Sequence, residues 1–204
     1  SKNGPTADCS AAVARIRGHH VQRMRRPGAA VDHAAAQREL HRARVAVRLR
    51  REIAPPLVVV GLARSGTTRL HRLLASDRRF LHLEAWESVN PVPWPQSFGP
   101  GPDPRVANIE QGLKFVLYLS PQIASVHPLG AHEPEEEIGL LEHAFSSQIF
   151  EVIHRLPTFA RWLMENDQTP AYEYMLKLLK LVEWFRGDAP GRTWVLKTPQ
   201  YMQD

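Results

Sequence analysis

The stretch Pro56-Leu-Val-Val-Val-Gly61-Leu-Ala-Arg64-Ser65-Gly66-Thr67-Thr68-Arg-Leu70 decides the fold. Its Leu57–Val60 run is short, apolar and β-branched, the pattern of a strand buried in a parallel sheet. Gly61–Thr68 is a loop of small residues, and Leu70, Leu73 and Leu74 then recur at helical spacing over residues 68–76. Phe80–Leu83 reads as a second strand. A strand, a glycine loop, a helix and a strand make a βαβ unit, which predicts an α/β fold with a parallel sheet flanked by helices. A glycine turn running into a helix N-terminus also gathers N–H groups and a positive dipole end at one spot, where an anion binds readily.

The loop has the G-x-x-x-x-G frame, yet it is not a Walker loop. That motif follows its second glycine with Lys-Ser/Thr, the lysine for the β/γ-phosphates and the hydroxyl for Mg²⁺. Here Thr67 and Thr68 hold those places, and the basic residue is Arg64, inside the loop. A hydroxyl pair with one arginine suits a phosphate held without a chelated metal. A P-loop-type nucleotide-binding kinase or nucleoside triphosphatase is the alternative enzyme class, and the absent lysine counts against it.

Downstream, six prolines between Asn90 and Pro104 impose an extended, irregular loop. Helical stretches are predicted around Val106–Leu119, Pro134–Phe145 and Thr169–Phe185, the last with Tyr172, Met175, Leu176, Leu179 and Val182 as its packing stripe. Pro134 suits a first helical turn, which would put Glu133 and Glu136 on one helix face. After a turn at Gly187–Gly191, Thr193–Leu196 is a third strand. If the strands are parallel, each brings a charged residue to the C-terminal edge where ligands of open α/β sheets bind: Arg64, Glu84 and Lys197.

The net charge of +5 over 204 residues conceals an asymmetry. Residues 1–52 carry 12 Lys/Arg against four Asp/Glu, and the rest of the chain 14 against 17. A basic helical N-terminal region, residues 1–54, is therefore set apart from an α/β region, 55–204. Its arginines lie between helically spaced Leu40, Ala43 and Val47, as on a solvated helix face. A non-catalytic nucleic-acid-binding module built on those helices is the other alternative, and the lack of interleaved aromatics speaks against it. Cys9 is the only cysteine, so neither a disulfide framework nor a multi-cysteine zinc site is expected. His132-Glu133-Pro-Glu-Glu136 lacks the second histidine of a zincin helix, and no metal site is predicted. No apolar run is long enough to cross a bilayer and no signal sequence is visible, so a cytoplasmic location is expected. Oligomeric state is left open.

The loop stretch resembles the 5′-phosphosulfate-binding loop of sulfotransferases. Val195-Leu-Lys-Thr-Pro-Gln-Tyr201 resembles their Lys-Thr/Ser-Pro segment on a central strand. His127-Pro-Leu-Gly-Ala-His-Glu-Pro-Glu-Glu-Glu137 resembles a His-Pro…Glu-Pro-Glu-Glu segment of a bacterial group of that family. The resemblance spans residues 55–204 and implies a P-loop-like sheet. It implies transfer of a sulfuryl group from 3′-phosphoadenosine 5′-phosphosulfate to a hydroxyl, or an amine, of a small-molecule or lipid acceptor. Adenosine 3′,5′-bisphosphate is then the other product, and no metal takes part. Arg64, Ser65, Gly66, Thr67 and Thr68 would bind the donor. Arg64 would also hold the transferring group, and Lys197 would steady the leaving oxygen. Glu84 and Glu136 are rival general bases, with His127 next. The family's 3′-phosphate site lies beyond the Lys-Thr-Pro segment, so the resemblance implies a sheet left incomplete at Asp204.

Overall fold

The computed structural model describes residues 52–62, 64–127, 129–188 and 191–202, and the basic helices predicted at the N-terminus lie outside them. The first half of the described chain runs β1 (Leu57–Val58), α1 (Thr67–Ala75), β2 (Phe80–Leu81), β3 (Leu83–Glu84), α2 (Ala85–Val89), α3 (Pro104–Leu119) and α4 (Ile123–Val126). There follow β4 (Pro134–Glu135), α5 (Ile138–Glu142), α6 (Ile149–Ile153), α7 (Pro157–Glu165), α8 (Thr169–Arg186) and β5 (Thr193–Leu196). Among the described residues no helix is long and apolar enough to cross a membrane.

The main sheet has the order β1-β5-β2, with both pairs parallel. Leu57 and Val58 register with Val195 and Leu196, and Phe80 and Leu81 with Thr193 and Trp194. β5 is therefore the middle strand. Its Trp194, Val195 and Leu196 are almost wholly buried, as a strand covered on both faces must be. The β1 run behaves differently from its reading in sequence: only Val59 is buried, and Leu57, Val58 and Val60 stay exposed at the sheet edge.

Two local readings are overturned by long-range pairing. The strand predicted over Phe80–Leu83 breaks in two, because Leu83 and Glu84 leave the sheet and pair antiparallel with Glu135 and Pro134. The helix predicted from Pro134 is thus a strand at its start, and only Ile138–Glu142 is helical. Proline serves either role, since it lacks an N–H that neither a first helical turn nor a strand edge requires. The backbone bonds from Ala85 N to Glu133 O and Trp86 N to Ala131 O, both 3.2 Å, extend the ribbon and choose the strand.

Leu81, Leu83, Leu140, Leu141, Trp194 and Leu196 form the core with one face of α8. That face is Ala171, Met175, Leu178, Leu179 and Val182, so the stripe is turned from the predicted one: Leu178 is inside and Leu176 outside. On α1 the face is largely inverted, with Leu74 half-buried. His71 and Ala75 are buried, whereas Leu70 and Leu73 are exposed.

The proline-rich segment is irregular apart from a 3₁₀ turn at Pro95–Phe98. Arg105 anchors it from the first turn of α3. Its guanidinium lies 4.5 Å from the Trp86 ring centroid and 4.8 Å from that of Phe185, and Nη1 donates to the Asn90 carbonyl at 2.9 Å. A buried ion pair locks α2 to the end of α8. Arg186 Nε donates to Glu87 Oε1 at 2.6 Å, Nη2 donates to Oε2, and Glu84 N–H also reaches Glu87 at 3.0 Å. Removing one partner of such a pair strands the other charge in a poorly solvated site. Glu87→Ala is expected to cost about 3–5 kcal/mol in urea unfolding, and Glu87→Gln, which keeps the acceptor oxygen, clearly less.

Candidate active site

The loop between β1 and α1 is shaped by two glycines. A side chain at Gly61 would meet Thr67 Cγ2 at 2.7 Å, so only glycine lets the loop fold back on the helix start. Gly66 sits at φ 92°, a conformation open to it for want of a Cβ, and Arg64 takes the left-handed region at φ 67°. Ser65 braces the turn: its hydroxyl and N–H both donate to the Leu62 carbonyl, at 2.6 and 3.2 Å. The helix that follows has Gly66 as N-cap, no side-chain cap and no acid in its first turn. Its leading N–H groups precede any intrahelical acceptor and face the same way as the positive dipole end.

Lys197, just past β5, crosses to this helix start. Its ammonium pairs with Glu136 and lies 3.3 Å from Thr68 Oγ1, and the residue is 5% exposed. The remaining acids of the segment each have a separate partner. Glu133 pairs with Arg72 of α1. Glu135 Oε2 accepts from His127 Nε2 at 2.9 Å. Glu137 turns inward and is fully buried, with Oε2 accepting the backbone N–H of Lys197 at 2.9 Å. Burial pushes the Glu137 pKa up to about 7, against the lowering pull of Tyr201 and of the Lys197 N–H. Gln200 fastens the next turn by accepting from Gln148 N at 3.0 Å and donating to the Ser146 carbonyl at 2.7 Å.

A cavity of about 910 Å³ lies between the loop and the acid segment. Arg64, Gly66, Thr67 and Thr68 line one side, and Lys197, Glu136 and His127 another. Most of the residues singled out in the sequence are thus gathered in one place. Ser65 is not on the cavity wall, and neither is Glu84. Glu84 lies at the junction of β3 and α2, where its Oε2 accepts from Trp86 Nε1 at 2.7 Å and meets His132 Nδ1 at 2.6 Å. It leaves the sheet edge because β3 belongs to the antiparallel ribbon. Of the charged lining residues, Arg69 and Arg72 went unread, and Glu133 was read only as a neighbour of Glu136 on a helix face. Arg72 was within reach, since it stands four residues after Thr68 on the same helix face. Glu137 and Gln200 carried no such signal. Among the described residues no group of three His, Cys, Asp or Glu side chains could hold a metal ion.

Comparison with known proteins gives one family. The profile described as the sulfotransferase family matches residues 55–204. Sulfotransferase STF1 from Mycobacterium tuberculosis superposes with a TM-score of 0.61 at 30% identity, over 77% of this chain and 42% of that one. Sulfotransferase STF9 from Mycobacterium avium superposes with a TM-score of 0.59 at 26% identity, over 79% of this chain and 43% of that one. The chain therefore spans less than half the length of these structural neighbours. No curated protein matches it.

Two histidines at the site should titrate in opposite directions. The Glu135 partner holds the His127 pKa above its ordinary value, whereas burial lowers that of His71, beneath the loop, to about 4. Stability from the His127–Glu135 pair is full below the free imidazole pKa of about 6.5 and fades as pH rises through the higher folded value. His71 acts in the other sense: the unfolded chain takes up a proton that the fold refuses, so stability falls as pH drops from about 6.5 to about 4. NMR titration of the ring protons is expected to find the His127 midpoint raised and to return it toward the free value in Glu135→Gln.

Proposed function

Because the chain belongs to the sulfotransferase family, we propose that the protein containing it moves a sulfuryl group from 3′-phosphoadenosine 5′-phosphosulfate to a hydroxyl, or an amine, of a small-molecule or lipid acceptor. The observation that carries this reading is the uncapped start of α1 with the Lys197 ammonium 3.3 Å from Thr68. An anion of the phosphosulfate kind fits there: N–H donors, two threonine hydroxyls and the cations of Arg64 and Lys197 border one cavity, with no acid in the first turn of the helix. Bound, the donor supplies its own activated bond, so the chain's contribution is position and charge.

Each residue then has a physical task. The Gly66, Thr67 and Thr68 N–H groups orient the 5′-phosphate at the helix dipole, with Ser65 bracing the loop from behind. Arg64 offers a planar fork of donors to the group in transfer, where charge spreads over several oxygens. The Lys197 ammonium moves from Glu136 toward the oxygen that gains charge as the bond breaks. That shift leaves the Glu136 carboxylate open to take the acceptor's proton. Pairing before binding and release on binding keep the base and the lysine from acting before the donor is in place. Glu84 has no such access, held as it is by Trp86 and His132.

The full-length protein is expected to bind adenosine 3′,5′-bisphosphate in a calorimetric titration, and a flat titration overturns the reading. Lys197→Ala should lower kcat by roughly 10²–10³-fold, and Arg64→Lys should recover little of what Arg64→Ala loses. Glu136→Gln is expected to lower kcat by about 10²–10⁴-fold, while Glu84→Gln leaves kcat near wild type and affects stability alone.

A further inference from the structure

Four acids follow one another around Pro134, and three have evident employment: Glu133 with Arg72, Glu135 with His127, Glu136 with Lys197. Glu137 has none in the reaction above, yet it is the most deeply buried of them. A carboxyl in such a place is costly, and an apolar residue of similar size would fill it at less expense. The geometry says what it does. The Lys197 N–H lies beyond the residues that β5 registers with β1 and β2, and the Glu137 side chain supplies its acceptor at 2.9 Å. The Glu137 carbonyl meanwhile takes the N–H groups of Leu140 and Leu141, at 2.8 and 3.3 Å, and starts α5. Glu136, next in the chain, holds the ammonium of that same lysine. Consecutive acids thus grip one lysine at both ends.

We propose that Glu137 is a positioning residue for the transfer, fixing the Lys197 backbone at the end of β5 so that the ammonium alone moves between Glu136 and an anion at Thr68. The proposal rests on the sulfuryl-transfer reading. The ionisable groups facing the Glu137 carboxyl are Glu136 from its own segment and Tyr201 from the turn after β5, while Lys197 meets it through its backbone N–H. With a pKa of about 7, the carboxyl is divided between charged and neutral forms at neutral pH. A carboxylate accepts the Lys197 N–H more strongly than a neutral acid, so the grip should tighten as pH rises through that range.

The test has an activity arm and a spectroscopic arm, both on the full-length protein. Glu137→Gln keeps the shape and an acceptor oxygen but loses the charge. It is expected to lower kcat roughly tenfold with little change in the donor KM, and to flatten the rise of kcat between about pH 6 and 8. Glu137→Asp, which titrates but is one methylene shorter, should restore the pH dependence without the full rate. A residue with a merely structural role would change the melting temperature and leave kcat per folded molecule and its pH profile alone; that outcome overturns the proposal. The second arm needs no turnover: the backbone amide resonance of Lys197 in the wild-type protein should move with a midpoint near that of Glu137. A stationary resonance sinks the proposal even if Glu137→Gln fails to fold. Absence of transfer by the wild-type protein would instead strike the sulfuryl-transfer reading, with the amide titration still deciding the role of Glu137.

Discussion

The hydrogen bond from the Lys197 backbone to the buried Glu137 carboxyl joins the two halves of the site. On one side is the parallel sheet, whose middle strand ends at Leu196. On the other is the segment from His127 to Glu137, which reaches the sheet through the β3–β4 ribbon and α5. The charged residues that line the cavity hang from one or other of these two bodies. A buried carboxyl tolerates little freedom in where its partner sits, because a misplaced N–H leaves charge uncompensated in a medium that solvates it poorly. The same cost that makes Glu137 expensive makes its geometry definite.

The cavity is built by opposition of charge. Arg64, Arg69, Arg72 and Lys197 come from the loop, α1 and β5, while Glu133 and Glu136 come from the facing segment. These groups satisfy one another, Arg72 with Glu133 and Lys197 with Glu136.

Sequence spacing and tertiary structure part company in instructive places. Thr193–Leu196 was legible as a strand and Thr169–Phe185 as a helix, because both are long or strongly patterned and bounded by glycine turns. α6 and α7 were not read at all, lying in a stretch without clear punctuation. On α1, Leu70 and Leu73, which suggested a core face, point outward, while His71 and Ala75 are buried. The reason is the loop ahead of it: Gly61 and Gly66 set the helix so that Thr68 and Arg72 meet the cavity, and the rotation of the remaining residues follows. The helical reading of Pro134 failed for a related reason. Capping and dipole signals are worth about 1 kcal/mol each, which a ladder of backbone bonds to a distant strand readily outweighs.

The amino-acid sequence by itself determined the βαβ beginning, the glycine loop that departs from the Walker pattern, and the lysine at the end of a strand, since each depends on residues adjacent in the chain. Family resemblance drew on those same local motifs. Only the tertiary structure decided between Glu84 and Glu136 for a place at the cavity, and only it singled out Glu137. Glu84 is carried away by pairing with Pro134, and three consecutive glutamates are divided by the alternation of an extended segment entering a helix: Glu135 to His127, Glu136 to the cavity, Glu137 to the core. Which of several like charges faces a ligand is set by the packing of segments remote in sequence, and residue type carries no record of that packing.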